Sequence, residues 1–435
     1  MTGKTFYHLF FLSLLSCISP YEFESIDFER TLVIDASLTT ETTAHFVRLS
    51  YTFEIDSSKN DPASNASVAF IDETGARTSL REATPGFYIT DSTFFGIPGA
   101  SYSLEVILAD GTMYRSSEET MPVPAVIDSI YGRYITLPTD TDDTDMTGVQ
   151  VFLDAHSEDP ESQNFRYTYR DSYQVPVPFP SQYDWSGTGE TFRIFERERP
   201  LGTCYRKSAS TETMVATTRS LSENKVLEYP IRFINESSDD LAYQYIIEVT
   251  QFTISNDAYN FFRYLKESNE GAGSLSDRQL GSIRGNIIDV ANPNNLVLGY
   301  FEVAGVSTVK KSFNYQQFLL EGIKTEQFIC LPLEEGQDLG FGCVFKDQRM
   351  ISIVEVLEEI VINPRTGDTT IVEETVLDYS DLDAELNSLG VTSQEACGYT
   401  YRIVDVNATT AFVSHESCSD CTLYGLLEPP SIWEE

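Results

Sequence analysis

Histidine and basic residues are scarce in this chain. Its 435 residues include only 4 His, and 29 Lys and Arg stand against 67 Asp and Glu, which gives a formal net charge of −38. A nucleic acid would therefore be repelled along most of the surface, and we predict no nucleic-acid partner. No histidine lies in an H-E-x-x-H motif or beside another ligand at metal-binding spacing, so the histidines indicate no metal site, and no cofactor is expected.

The motifs of common catalytic machineries are also missing. The sequence contains no G-x-S-x-G elbow, no P-loop and no dinucleotide-binding fingerprint, so no catalytic residue is assigned. One enzyme class needs no such motif, because a glycosidase requires only two carboxylates brought to roughly 5–10 Å by the fold. With 67 acidic residues, a carbohydrate-active enzyme stays open as an alternative.

The remaining composition is that of a packed globular protein. Hydrophobic residues make up 41% of the chain and aromatic residues 12%, with 25 Gly and 18 Pro. This excludes a disordered or collagen-like chain. The length suits two or three domains of roughly 150 residues each.

An apolar run near the amino terminus predicts an export signal. Lys4 precedes the run from Phe6 to Leu15, which is too short for the roughly 20 residues of a membrane-spanning helix. The run leads into Leu-Leu-Ser and Cys17, which resembles a bacterial lipobox. We predict that residues 1–17 are a lipoprotein signal peptide ending at its lipidation site, Cys17. The alternative is an ordinary secretory signal that is cleaved near Ser16 or Ser19.

Residues 18–30 are predicted to be an acidic tether. Their acids are Glu22, Glu24, Asp27 and Glu29, and the first base is Arg30. The stretch resembles the tether that directs Bacteroidota lipoproteins to the cell surface. A solvated linker explains the same residues equally well, so the periplasmic face of the outer membrane stays open.

Six cysteines follow Cys17. An even number suits an oxidising compartment and up to three disulfides, but the sequence does not choose among the 15 pairings that six cysteines allow. The two closest flank Ser-Asp in a C-x-x-C pattern without a second metal-binding couple, which favours a structural disulfide over a zinc or redox site. The disulfide candidates are Cys204, Cys330, Cys343, Cys397, Cys418 and Cys421.

The sequence predicts a mainly β protein of two parts. Residues 31–121 contain short β runs with turns at 72–75 and 110–111, which is typical of an immunoglobulin-like β-sandwich. Residues 122–415 are predicted to form a larger β-rich domain with one or two short helices, and residues 416–435 a cysteine-containing tail. A long hairpin is predicted around residues 363–367, with arms between 350 and 377.

One helix is predicted after Ser255. This serine is placed to cap the helix, and Ala258, Phe261, Phe262 and Leu265 recur on one face. We interpret that face as packing onto a sheet. A cluster of aromatics has two interpretations, a platform for a glycan or peptide ligand and the filling of a β core. Its members are Tyr167, Tyr169, Tyr173 and Trp185.

Several segments resemble, in the same order, a family of Bacteroidota outer-membrane lipoproteins known only as a domain of unknown function. The segments are Cys17 with its acidic follow-on, 32–35, 45–50, 85–88, 102–104, Trp185, 204–205, 255–265, 273–275, 285–287, 292–293, 297–301, 418–422 and 429–433. One departure is Tyr424-Gly425-Leu426, where the family usually has a glycine pair. A second is the 350–377 hairpin, which is longer than expected.

The resemblance implies a function but no catalytic residues. Members of the family are commonly encoded beside TonB-dependent receptors, so we expect a non-enzymatic accessory or ligand-binding partner of such a receptor, anchored in the outer membrane by its lipid. The alternatives are a surface carbohydrate-active enzyme and a structural or assembly factor of the outer membrane.

Overall fold

A computed structural model describes most of the chain. The described residues are 30–53, 61–138, 145–177, 179–188, 191–236, 238–241, 243–270, 283–314, 316–319, 349–362, 369–378, 401–406, 410–415 and 419–434. The predictions for the signal peptide, for most of the tether and for Cys17 lie outside these residues. So do those for Cys330, Cys343, Cys397 and Cys418.

The fold is mainly β, as predicted. The strands are β1 (Leu32–Thr39), β2 (Phe46–Tyr51), β3 (Asp61–Pro62), β4 (Ser67–Asp72), β5 (Arg77–Thr84), β6 (Phe87–Ile89), β7 (Ser101–Ile107), β8 (Met113–Ser116), β9 (Glu119–Thr120), β10 (Val126–Leu137), β11 (Met146–His156), β12 (Asn164–Pro176), β13 (Tyr183–Thr188), β14 (Thr191–Glu196), β15 (Thr203–Ala209), β16 (Met214–Thr217), β17 (Lys225–Asn235), β18 (Gln244–Ile254), β19 (Ile287–Asp289), β20 (Val297–Asn314), β21 (Arg349–Ile362), β22 (Thr369–Asp378), β23 (Tyr401–Val406) and β24 (Thr410–His415). The helices are α1 (Asn256–Glu270) and α2 (Gln316–Leu319), with 3-10 turns at Asp239–Leu241, Cys421–Leu423 and Ser431–Trp433.

The amino-terminal region forms a β-sandwich. One layer has the order β20-β1-β2-β6 and the other includes β4, β7, β8 and β19, while β5 pairs with a strand of each layer. Alternate residues of both layers fill the core, among them Ile34, Leu49, Phe70, Leu104 and Phe301. The two predicted turns are confirmed, and each uses a glycine at positive φ, Gly75 and Gly111.

A second core lies between two further layers. The three-stranded sheet β10-β11-β17 supplies Val151, Leu153 and Ile234, and the opposing strands β12, β18 and β20 supply Tyr245, Phe313 and their neighbours. Alternate side chains of an antiparallel strand point to opposite faces of its sheet. Each of these strands therefore packs one face into this core, and its other face points away from it.

Strand β20 belongs to both cores. Its first half pairs in parallel with β1, and its second half pairs in antiparallel fashion with β18. The predicted boundary near residue 121 is therefore not a boundary between sheets, since β20 from the second part completes the sandwich of the first. The division of the chain into domains at residues 31–121 and 122–415 stays a prediction.

Helix α1 begins where the sequence predicted. The Ser255 hydroxyl accepts a hydrogen bond from the backbone N–H of Ala258 at 3.1 Å, which is an N-cap contact. The predicted apolar face packs on the sheet, with Ala258, Phe261 and Phe262 against Tyr300 of β20. The helix thus covers the outer face of the layer that contains β20 and β1.

The predicted hairpin is formed by β21 and β22. It lies inside a six-stranded sheet of order β13-β14-β22-β21-β24-β23. Its acids include Glu358 and Glu373, which are cross-strand partners. The two arms are not edges of this sheet, because β14 pairs with β22 and β24 pairs with β21.

A disulfide holds the carboxyl-terminal segment to β15. Cys204 and Cys421 are joined, both are fully buried, and 217 residues separate them in sequence. Next to the bridge, Tyr205 and Leu426 exchange two backbone hydrogen bonds of 2.8 and 2.9 Å. A Cβ on Gly425 would lie 2.6 Å from the carbonyl oxygen of Tyr205, so this close approach depends on glycine.

We predict that Cys204→Ala lowers the free energy of unfolding by about 2–5 kcal/mol, because the bridge closes a long loop in the unfolded chain. Urea unfolding without reductant measures the change. The Cys204→Ala/Cys421→Ala double variant is the control and should be no less stable than the single variant. Wild-type protein whose unfolding is insensitive to reductant would contradict this role for the bridge.

Candidate functional site

A cavity lies between α1 and the outer face of the sheet that it covers. Its volume is about 810 Å³, and its lining comes from β1, β2, β12, β18, α1 and β20. Small-molecule sites commonly have volumes of roughly 300–1,000 Å³. The lining includes the charged residues and rings Asp35, Arg166, Phe252, Phe261, Phe262 and Glu302.

Strand alternation places polar side chains on the cavity floor. On β1, Ile34 and Ala36 enter the sandwich core, so Asp35 between them faces the cavity. On β20, Phe301 enters the same core and Glu302 lines the cavity. The apolar core positions of both strands therefore fix which polar residues reach the site.

The wall opposite the sheet floor is aromatic. Phe261 of α1 lies with its ring centroid 4.9 Å from that of Tyr300 and 5.3 Å from that of Phe262. Leu265 of α1 extends this wall, and Phe252 of β18 adds apolar surface from the sheet. Such a wall favours a ligand with an apolar body.

Arg166 and Glu302 form a bidentate ion pair within the lining. The Arg166 Nε and Nη2 atoms donate to the two carboxylate oxygens of Glu302 at 2.7 and 2.6 Å. The side chains are 16% and 5% exposed. The guanidinium also lies over the rings of Phe252 and Phe262, at 4.0 and 4.9 Å from their centroids. Planar stacking and a forked hydrogen bond together fix its orientation.

Asp35 is another carboxylate on the cavity floor. Its side chain is exposed and lines the cavity, but surrounding protein atoms exclude part of the water around the carboxyl group. This desolvation raises the pKa of Asp35 above its ordinary value, and the nearby charge of Glu302 raises that pKa further. Arg48, the cross-strand partner on β2, and Arg166 oppose the shift.

Two neighbouring groups are tied to the scaffold. Tyr300 donates a hydrogen bond of 2.9 Å to Glu119, and burial is the main cause that raises the pKa of Tyr300. His45 donates from Nε2 to the carbonyl oxygen of Phe94 at 3.1 Å and accepts from the backbone N–H of Thr39 at Nδ1. Burial lowers the pKa of His45, which keeps the imidazole neutral.

Of the two interpretations of the aromatic cluster, Tyr167 fits the filling of a β core. Its side chain is fully buried in the second core, which is the alternative that the sequence analysis left open. Tyr169 and Tyr173 are partly buried against the same core, so they also serve packing. The side chain of Trp185 lies outside the described part of the chain.

Sequence reasoning did not assign the cavity residues as a site. It named the apolar face of α1 and assigned it to packing, and that face in fact packs and also lines the cavity. The available signal for Asp35 was an acid at the centre of the apolar run of β1, where a charge on a covered sheet face is unusual. The pairing of Arg166 with Glu302 left no local signal.

The described residues contain neither a metal-binding cluster nor a membrane-spanning helix. No group of three or more His, Cys, Asp or Glu in this part of the chain is arranged to hold a metal ion. None of its helices combines the length and apolar character needed to cross a membrane.

The chain belongs to a family described as Domain of unknown function (DUF4249), whose model matches residues 18–310. This match includes β1–β19, α1 and most of β20, and hence every residue of the cavity. Among curated proteins the chain has no match.

Solved structures offer weak similarities. They include a mutant alpha-2-macroglobulin from Salmonella, with 7% identity and a TM-score of 0.16, and a trypsin-activated alpha-2-macroglobulin from Escherichia coli, with 8% identity and a TM-score of 0.14. Each match covers 79% of this chain but only 16% and 17% of the respective macroglobulin. The chain thus spans about a sixth of their length, and the scores are too low to indicate a function.

We predict that Glu302→Gln lowers the free energy of unfolding by about 3–5 kcal/mol, because it leaves the half-buried charge of Arg166 without its partner. Glu223→Gln is the matched control, since Glu223 pairs with Lys225 on the surface and such pairs contribute about 0–1 kcal/mol. Urea unfolding measures both changes. Equal effects of the two substitutions would contradict the structural role of the Arg166–Glu302 pair.

Proposed function

We propose that the protein is a lipid-anchored binding protein of the outer membrane. The lipid is attached to Cys17, and the folded body binds a small ligand in the cavity beneath α1. The protein acts as a non-enzymatic accessory partner of a TonB-dependent receptor. The observation that carries the binding role is the cavity itself, which combines an aromatic wall with the charged groups of Asp35, Arg166 and Glu302.

The charged groups of the cavity suit binding better than catalysis. Both carboxylate oxygens of Glu302 accept hydrogen bonds from Arg166, so both are occupied by a partner within the protein. The stacked guanidinium is likewise held in one position. A rigid lining of this kind is suited to recognise a ligand.

The envelope location and the receptor partner rest on the sequence. The lipobox-like end of the apolar run supports the anchor, and the acidic residues that follow support the surface of the outer membrane. The resemblance to lipoproteins encoded beside TonB-dependent receptors supports the partner. The length of chain between Cys17 and β1 is sufficient for a tether, at up to roughly 3.3–3.6 Å per residue.

A carbohydrate-active enzyme is the second candidate, because two carboxylates, those of Asp35 and Glu302, lie on the cavity floor. Desolvation raises the pKa of Asp35, which is the direction that a general acid requires, and Glu302 lies on the neighbouring strand β20. The bidentate contact with Arg166 makes Glu302 a poor nucleophile. For this reason we place binding first.

We predict that Cys17→Ala releases the protein from the membrane fraction, since no acyl chains can then be attached to that position. Fractionation of cells followed by mass spectrometry of the amino terminus measures the effect. Ser19→Ala, which leaves Cys17 in place, should remain in the membrane fraction with a lipid-sized mass increase. An unmodified amino terminus downstream of Cys17 in the native protein would exclude the anchor.

We predict that the native protein, extracted in detergent, co-purifies with a TonB-dependent receptor and does not hydrolyse glycans. Quantitative mass spectrometry of the purified complex identifies the partner, and the Cys17→Ala protein, which is soluble, is assayed for turnover on a glycan panel. Turnover that is lost in both Asp35→Asn and Glu302→Gln would favour the enzyme. Co-purification with membrane-assembly machinery instead would favour an assembly factor.

A further inference from the structure

We propose that the cavity beneath α1 selects an organic cation, a molecule with an apolar body and a protonated amine that pairs with the Asp35 carboxylate. This inference rests on the proposed binding function and specifies its ligand class.

The lining has an excess of negative charge. Among the described residues, it contains three carboxylates, of Asp35, Glu41 and Glu302, against one guanidinium, that of Arg166. The bidentate pair neutralises Glu302 and Arg166, and Glu41 is on the exposed rim, where it accepts a hydrogen bond from Thr308. A carboxylate or phosphate ligand would therefore meet a negative potential.

Asp35 is the acid left for a ligand. Within the described part of the chain, no basic group lies within 4.0 Å of its carboxylate. The cross-strand partner Arg48 is near enough to influence the carboxyl electrostatically, but its guanidinium carbon lies 5.7 Å from the ring centroid of Phe87, over its face. A ligand ammonium is the group that would complete the charge balance on the cavity floor.

The aromatic wall favours the same kind of ligand. Phe252 and Phe262 already hold one cation, the guanidinium of Arg166, against their ring faces. Phe261 and Leu265 extend this apolar surface along α1. An amine with an aromatic or aliphatic body can thus place its charge at Asp35 and its body against the helix, and the cavity volume suits a molecule of that size.

The pH dependence of folding stability distinguishes a binding role of Asp35 from a structural role. Its folded-state pKa is raised, so the folded protein holds this proton more tightly than the unfolded chain does, and the stability that depends on Asp35 falls as pH rises through that range. At neutral pH the ionised carboxylate therefore does not stabilise the fold. Asp35→Asn should be at least as stable as the wild type at pH 7, which would not hold for an acid that served the fold.

Titration calorimetry on the full mature chain in detergent tests the inference. The probes are tryptamine and octylamine as cations, indole as a neutral body and indole-3-propionate as an anion. We expect the amines to bind at least tenfold more tightly than the neutral and anionic probes. Asp35→Asn should weaken amine binding at least tenfold and leave indole unaffected. Asp110→Asn, the same substitution in a distant turn, should change nothing.

The pH dependence adds a second readout. Amine binding should weaken as pH falls through the raised pKa of Asp35, because protonation removes the charge of the carboxylate. The charged groups that face Asp35 are Arg48, Arg166 and Glu302. Equal binding of the anion, unchanged amine binding in Asp35→Asn, or no binding by either amine would each overturn the inference. Co-purification with the receptor is independent of these results, so the proposed function and its ligand class can fail separately.

Discussion

Strand β20 is the constraint on which the rest of the structure depends, because it is a member of two hydrophobic cores. It gives Phe301 to the first core and Phe313 to the second, and it pairs with β1 over one half and β18 over the other. Between the halves, a Cβ on Gly305 would lie 2.6 Å from the carbonyl oxygen of Pro122. The segment from Pro122 to Pro124 thus crosses β20 where only glycine fits.

This shared strand also explains why the cavity is preorganised. Any shift of β20 would disturb both cores, so the outward residues between its core positions have little freedom. Tyr300 supports α1, and Glu302 orients Arg166, which then stacks on Phe262 of the helix. The ion pair consequently joins β12, β20 and α1 around one side of the cavity. A rigid cavity lowers the entropy that a ligand loses on binding.

Local patterns predicted the local structure and failed where distant segments meet. The cap at Ser255, the turn glycines and the long hairpin all depend on residues near in sequence, and all were predicted. Strand β5 shows no apolar alternation, because its sequence is polar, with Leu80 as its buried hydrophobic residue. The parallel pairing of β1 with β20 and the bridge between Cys204 and Cys421 join distant segments, which periodicity does not report. Tyr167 shows the same limit, since alternation alone does not distinguish a core ring from a ligand platform.

The contrast between two acids on sheet strands identifies Asp35 as the unusual residue of the molecule. Glu105 of β7 pairs with both Arg77 and Arg115, at 2.5 and 2.7 Å, and these contacts lower its pKa. Asp35 lies on a strand of the same sandwich, but desolvation raises its pKa. Ionisation of Glu105 thus stabilises the folded state, whereas ionisation of Asp35 does not. Departures of this kind from the rules that favour folding are expected at functional sites, where the compensating interaction comes from the ligand.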